Sequence, residues 1–198
     1  MSDLLISAIL VAAAMTVTPG PATVLIAAMG ARFGFQRSLP LLAGVAAGLA
    51  ALMAAAAAGL STVLQAVPAL HVLMNGVGSA YLLWLAWKIG RSGPPDAAAD
   101  AAMPPAGFVP GLVLLWLNPK AWTMALGAGA AFAGLAADPL TVALLLAAVF
   151  GTAAALALSL WCVGGAALGR RLRTARQWQA VNGALGLLTA ASVVLLWL

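Results

Sequence analysis

TVTPGPATVL, residues Thr16–Leu25, lies inside a charge-free run that extends from Leu4 to Ala31. Two prolines and a glycine fall near the middle of an apolar segment otherwise suited to a helix. Proline inside a helix removes a backbone donor and clashes with the preceding turn, at a cost of about 3 kcal/mol or more. The stretch therefore predicts a broken helix, and the purpose of the break decides the fold.

The composition sets the solvent. Of 198 residues, 65% are hydrophobic and 7% charged, with a mean hydropathy of +1.10. A soluble domain carries roughly a quarter charged residues, so the chain reads as an all-α integral membrane protein. The opening MSDLL has no positive n-region, and the apolar run behind it is too long for a signal peptide. The net charge of +5 is not gathered on one soluble face, and no nucleic-acid partner is expected. One cysteine, Cys162, excludes an internal disulfide and gives no hint of a metal cluster. Neither a metal nor a cofactor is expected.

Six apolar spans are predicted, at about 4–31, 39–60, 70–87, 108–134, 140–163 and 178–197. Those longer than the bilayer core must tilt or break. Arg32 and Arg37 follow the first span, Lys88 and Arg91 the third, and Arg170, Arg171, Arg173 and Arg176 the fifth. The connections after the second and fourth spans hold no Lys or Arg, and the latter holds Asp138. The positive-inside rule makes the basic side cytoplasmic and puts both termini on the outer side of the membrane. Trp84, Trp87, Trp161, Trp178 and Trp197 read as interfacial rings near span ends. A Pro/Ala/Gly linker at 91–107 divides a single transmembrane domain, 1–198, into halves at about 1–90 and 108–198.

The halves repeat. TPGPATVL at Thr18 finds a counterpart in NPKAWTMA at Asn118, and Gly34 in Gly134, each 100 residues on. Each proline pair sits near the middle of the first span of its half. Three spans per half make the copies run in opposite directions, an inverted repeat typical of secondary transporters. Thr and Asn are good N-caps and proline suits the first helical position. Each pair therefore predicts a helix restart that aims free N–H groups and a positive dipole end at the midplane. Bare backbone at that depth is tolerated only where it is buried in protein or lines a cavity. A simple proline kink would account for one break less specially, but two at matched depth favour a site.

These stretches resemble a known family. TPGPATVLIAAMGARFGFQRSLPLLAGVAAG is similar to the first signature of the LysE/RhtB amino-acid exporters, a Pro-Gly-Pro followed by glycines. GVGSAYLLWLAWKI (76–89) and PGLVLLWLNPKAW (110–122) look like its second and third recurring stretches. The likeness covers nearly the whole chain and looks closest to members described as cysteine and O-acetylserine exporters. Ala22 and Thr23 stand where many members have asparagine after Pro-Gly-Pro, which leaves substrate contacts open. Ser38 replaces a usual glycine and bears on packing. The resemblance implies export of small amino acids from the cytoplasm, driven by an ion gradient with H+ as the expected coupling ion.

The expected substrate-binding residues are Thr18, Pro19, Gly20, Pro21, Thr23, Asn118, Pro119 and Lys120. Lys120 is the only ionisable residue well inside a span, where a charge costs at least about 2.5–3.5 kcal/mol. The bland alternative is a lysine whose stem snorkels to the interface. Trp116 and Trp122 flank this segment as pocket walls or lipid-facing rings, while Tyr81 and His71 are weaker candidates. Gly30, Gly34, Gly44, Gly48, Gly76 and Gly78 read as small-residue helix contacts. One His, one Cys and no carboxylate within a span make an enzyme a poor reading. A thiol–disulfide relay needs two thiols. A basic amino-acid exporter, a passive channel and a structural membrane protein remain as alternatives. The expected partners are a small amino-acid substrate, the coupling ion, the lipid bilayer and further copies of the chain in a homo-oligomer.

Overall fold

The computed structural model describes residues 2–60, 68–95, 105–194 and 197. The described residues form helices and connections with no strand. Among the described residues seven α-helices follow one another: α1 (Ser2–Val17), α2 (Pro21–Ala55), α3 (Pro68–Gly90), α4 (Phe108–Trp116), α5 (Pro119–Ala131), α6 (Pro139–Arg171) and α7 (Ala175–Val194). A π-helical turn, Ala56–Leu60, extends α2, and a 3-10 turn, Ala133–Leu135, follows α5. By length and composition, Pro21–Gly59 and Pro139–Arg171 are long and apolar enough to cross a membrane.

The first predicted span is broken as expected, between α1 and α2. Its connection to the second is shorter than the two flanking arginines imply. Helix continues through 32–38 except at Gly34, whose φ of 77° and ψ of 175° are open to glycine and strained for other residues. A side chain added at Gly34 would meet nothing within 4 Å, so this glycine serves the backbone and not a helix contact. Gly76 also faces open space, whereas Gly30, Gly44, Gly48 and Gly78 are pressed against neighbours as expected.

At Gly34 the chain doubles back. In the arm before it, Gly30 abuts Cys162, while the carbonyls of Ala27 and Ala31 press on Gly165 and Gly169. Rising number meets rising number, so this arm runs parallel to α6. In the arm after it, Ser38 reaches the Cys162 thiol and Ala46 and Ala50 meet Gly151. That arm is antiparallel to α6. The fully buried Cys162 is therefore flanked by both arms of α2. The predicted fifth span stopped at 163, but α6 runs on to Arg171. Glycine is a poor helix former, yet Gly165 and Gly169 let the first arm of α2 close on α6, and this packing keeps the helix going.

The remaining pairings follow the same rule. Gly44 meets Phe108, Gly48 meets Leu112 and Leu115, and Gly129 lies near Ala56. The second arm of α2 thus runs parallel to α4 and then α5. Helices α3 and α7 are antiparallel: Ser79 accepts from the Trp197 indole at 3.0 Å, and Asn182 donates to the Ser92 carbonyl at 2.7 Å. The core between α2, α6 and the broken helices is built from Ile26, Leu41, Leu52, Leu114, Leu146 and Phe150, all nearly or fully buried.

Candidate functional site

Both proline pairs interrupt helices, but they do so differently. Asn118 caps α5 as the sequence predicts: its backbone is extended, Pro119 takes the first helical position, and the side-chain oxygen accepts from the Lys120 N–H at 3.1 Å. Thr18 does not cap α2. Its hydroxyl turns back and donates to the Ala14 carbonyl at 2.6 Å, ending α1. The cap position of α2 is Gly20, with Pro21 first in the helix. The cause is the second proline, which disfavours helical backbone in the residue before it; Gly20 is extended at φ −165° and ψ 179°. Thr23 supplies the missing side chain. Gly20 N–H donates to the Thr23 hydroxyl at 2.7 Å, and that hydroxyl donates to the Gly20 carbonyl at 2.8 Å.

A helix that stops inside an apolar layer leaves carbonyls to satisfy. At the first break the donors come from other helices. The Trp161 indole N–H reaches the Val17 carbonyl at 3.2 Å, and the Lys120 amine reaches the Thr18 carbonyl at 2.9 Å. At the second break the Trp122 indole donates to the Trp116 carbonyl at 2.7 Å, with the two rings edge to face at 5.6 Å. Trp161, read from the sequence as an interfacial ring, stands beside the first break. Trp116 Nε1 is buried without an acceptor among the described residues.

Lys120 joins the two breaks. It lies in the first turn of α5, where its own helix dipole disfavours a cation, and it is held by the carbonyl end of α1, which favours one. A side chain at Gly20 would meet the Lys120 Cδ and Nζ at 3.2 and 3.3 Å. The absent side chain at Gly20 thus leaves the amine room to lie across the first break.

A cavity of about 50 Å³ opens there, lined by Gly20, Thr23, Asn118 and Lys120 together with Thr16 and Met124. At about 10–15 Å³ per water, it has room for only a few waters. Of the eight expected site residues, those four line it. Thr18 and Pro19 are exposed, and Pro21 and Pro119 are buried as the first residues of their helices. Thr16 and Met124 escaped the sequence reading because each looks like ordinary helix interior; only the register of the breaks turns them inward. Tyr81 is away from this cavity, packed on Trp84 at 5.7 Å. The side chain of His71 lies outside the described residues. Among the described residues, no group of three His, Cys, Asp or Glu side chains is placed to hold a metal.

The LysE type translocator family matches residues 13–197. The cysteine/O-acetylserine efflux protein of Salmonella typhimurium is 37% identical over 122 residues, 61% of this chain and 61% of that protein. Its namesake in Klebsiella pneumoniae is 34% identical over 121 residues, with the same coverage. The leucine efflux protein of Klebsiella pneumoniae is 36% identical over 109 residues, 52% of this chain and 50% of that protein. These matches span about half to three fifths of the relatives' length. No solved structure matches the chain. The chain belongs to the LysE type translocator family, whose members are integral transporters of the bacterial inner membrane and not enzymes.

Proposed function

We propose that this protein is a secondary active exporter of small neutral amino acids or close derivatives, with its substrate site at the paired helix breaks. The observation that carries the proposal is the convergence of two half-helix starts, at Gly20–Pro21 and Asn118–Pro119, on one lysine amine. Helix N-termini and an ammonium favour an anionic group. The carboxylate of an amino acid takes the place of the Thr18 carbonyl at Lys120. The names of the cysteine/O-acetylserine and leucine efflux relatives support a small amino acid as the cargo.

The architecture proposed is six spans in two inverted halves, about 1–90 and 108–198 around the linker 91–107, forming one transmembrane domain. The pairing order supports it. The first broken span packs parallel to α6 and the second packs parallel to the later arm of α2, so exchanging the halves exchanges these contacts. The two partners, that arm and α6, are themselves antiparallel. We place both termini in the periplasm on the distribution of basic residues, take H+ as the coupling ion, and leave a homo-oligomer as a further expectation.

The experiment is transport of radiolabelled O-acetylserine, leucine and lysine by the purified protein in proteoliposomes, with and without a pH gradient. Saturable flux of the neutral solutes that rises with the gradient is expected. Non-saturable flux indifferent to the gradient would mean a channel.

A further inference from the structure

A second and larger cavity, about 450 Å³, lies between α2, α3, α4 and α7 on the side that carries the arginines. Its size is that of a small-molecule pocket. Its wall is apolar and aromatic, with Met29, Leu41, Tyr81 and Pro110 among its residues, while Arg32 and Lys88 supply the charge. Among the described residues that line it, none is Asp or Glu. The Lys88 amine stands 5.0 Å from the Trp84 ring and the Arg32 guanidinium 5.7 Å from the Phe33 ring, so both cations rest on aromatic faces.

This cavity is stacked on the small one along the same three stretches of helix. On the later arm of α2, Leu41 lines the large cavity, and Val45 and Leu49, on the same helix face, line the small one. On the earlier arm, Leu25 and Met29 line the large cavity and Ala22 the small one. On α4, Pro110 belongs to the large cavity and Leu115 to the small one. From Leu41 to Val45 is about one helical turn, roughly 6 Å. The partition is apolar: Leu41 and Val45 are each 1% exposed. It is also tightly closed, since Gly44 is pressed on Phe108 and Gly111 on Leu41 at that level.

We propose that the 450 Å³ cavity is an entry chamber that receives the amino acid from the arginine-rich side before it passes the Leu41–Val45 partition to the midplane. Lys88 draws in the carboxylate, and the apolar wall accepts the side chain. The inference rests on the midplane site proposed above, with Lys88 and the lining of the chamber as its own content.

The test uses the full chain carrying Cys162→Ala, in inside-out vesicles that take up labelled O-acetylserine or leucine. Met29→Cys is treated from the arginine-rich side with a bulky, impermeant methanethiosulfonate. Arg173→Cys, exposed on that side and outside the chamber, is the control. Modification of Met29→Cys is expected to cut flux at least 10-fold, while modified Arg173→Cys keeps its flux. Trp84→Cys, on the α3 side of the lining, replaces Met29→Cys if that variant does not insert. Lys88→Gln is expected to raise the half-saturating concentration about 5-fold with maximal flux retained. Failure of the chamber cysteine to react where Arg173→Cys reacts would overturn the proposal, as would full modification with undiminished flux. Lys120→Met runs in parallel: if it abolishes flux while the chamber cysteine has no effect, the midplane site stands and the chamber falls. If instead Lys120→Met transports normally and the chamber cysteine blocks, only the midplane site falls.

Discussion

The Lys120 amine donates to the Thr18 carbonyl over 2.9 Å, a single hydrogen bond between residues 102 apart that ties together the two helix breaks. In an apolar layer that carbonyl would otherwise be left to lipid, and the amine would be a costly unpaired charge. Lys120→Met removes both the tie and the counter-charge for a carboxylate. Efflux of labelled neutral amino acids is expected to fall at least 100-fold, with membrane content and size-exclusion profile close to wild type. Normal efflux by this variant would remove Lys120 from the site.

The two caps are open to direct comparison. Thr23→Val leaves the Gly20 N–H without the acceptor it has at 2.7 Å. Loss of a cap costs about 0.5–2 kcal/mol. Thr18→Val removes only a bond to the carbonyl one turn back, made from the exposed residue just past the end of α1, which adds little to helix stability. In thermal unfolding in detergent, Thr23→Val is expected to lower the midpoint clearly more than Thr18→Val. The reverse order would return the cap to Thr18.

Much of this was legible in the sequence because proline acts locally. Pro119 behind Asn118 fixes a cap with little help from the rest of the chain, and the apolar run around Lys120 marks it out as a charge that needs a partner. Where two local rules competed, reading was harder: either proline at 19 or 21 suits a helix start, and the one nearer the helix prevailed. The single-residue reversal at Gly34 was hidden because arginines on both sides look like a loop. Trp161 and the large cavity were out of reach. Both depend on how far α6 runs and on helices that meet only in three dimensions.

Two adjacent glycines on α6 separate packing from propensity. A side chain at Gly165 would be driven into the Ala27 carbonyl, while one at Gly164 would meet nothing within 4 Å. Overpacking of this kind costs about 1–3 kcal/mol. Gly165→Ala is therefore expected to destabilise the protein or reduce its yield in the membrane. Gly164→Ala is expected to be neutral or to stabilise by up to about 1 kcal/mol through helix propensity. Equal tolerance at both positions would contradict the close seam between α2 and α6.

Asp138 caps α6 and accepts from the Thr141 N–H at 2.8 Å and its hydroxyl at 2.9 Å. The backbone hydrogen bond first, then the hydroxyl, hold its carboxyl below the ordinary aspartate value. A depressed folded-state value means that the carboxylate's contribution is complete above the unfolded value, about 3.9. It is lost as pH falls through the lower folded one. Unfolding followed across that acid range is expected to show a pH-dependent component that Asp138→Asn removes, with the cap itself retained. An unchanged pH dependence in Asp138→Asn would assign it elsewhere.

The charge of the cargo follows from what surrounds the breaks. Among the described residues, the small cavity is lined by Lys120 and by no Asp or Glu, and the large one adds Arg32 and Lys88, again without a carboxylate. A zwitterionic amino acid places its carboxylate at these cations and leaves its ammonium to backbone carbonyls. Lysine or arginine brings a second cation that no acidic side chain among the described lining residues receives. Exporting that charge against an inside-negative potential costs about 2.3 kcal/mol per 100 mV besides, a term that a net-neutral solute avoids unless the coupling ion carries charge. In competition assays with labelled O-acetylserine, cysteine, threonine and homoserine are expected to compete, and lysine and arginine to compete at least 10-fold less well. Efficient export of arginine would mean that a carboxylate outside both cavities, or a different path, carries the cation.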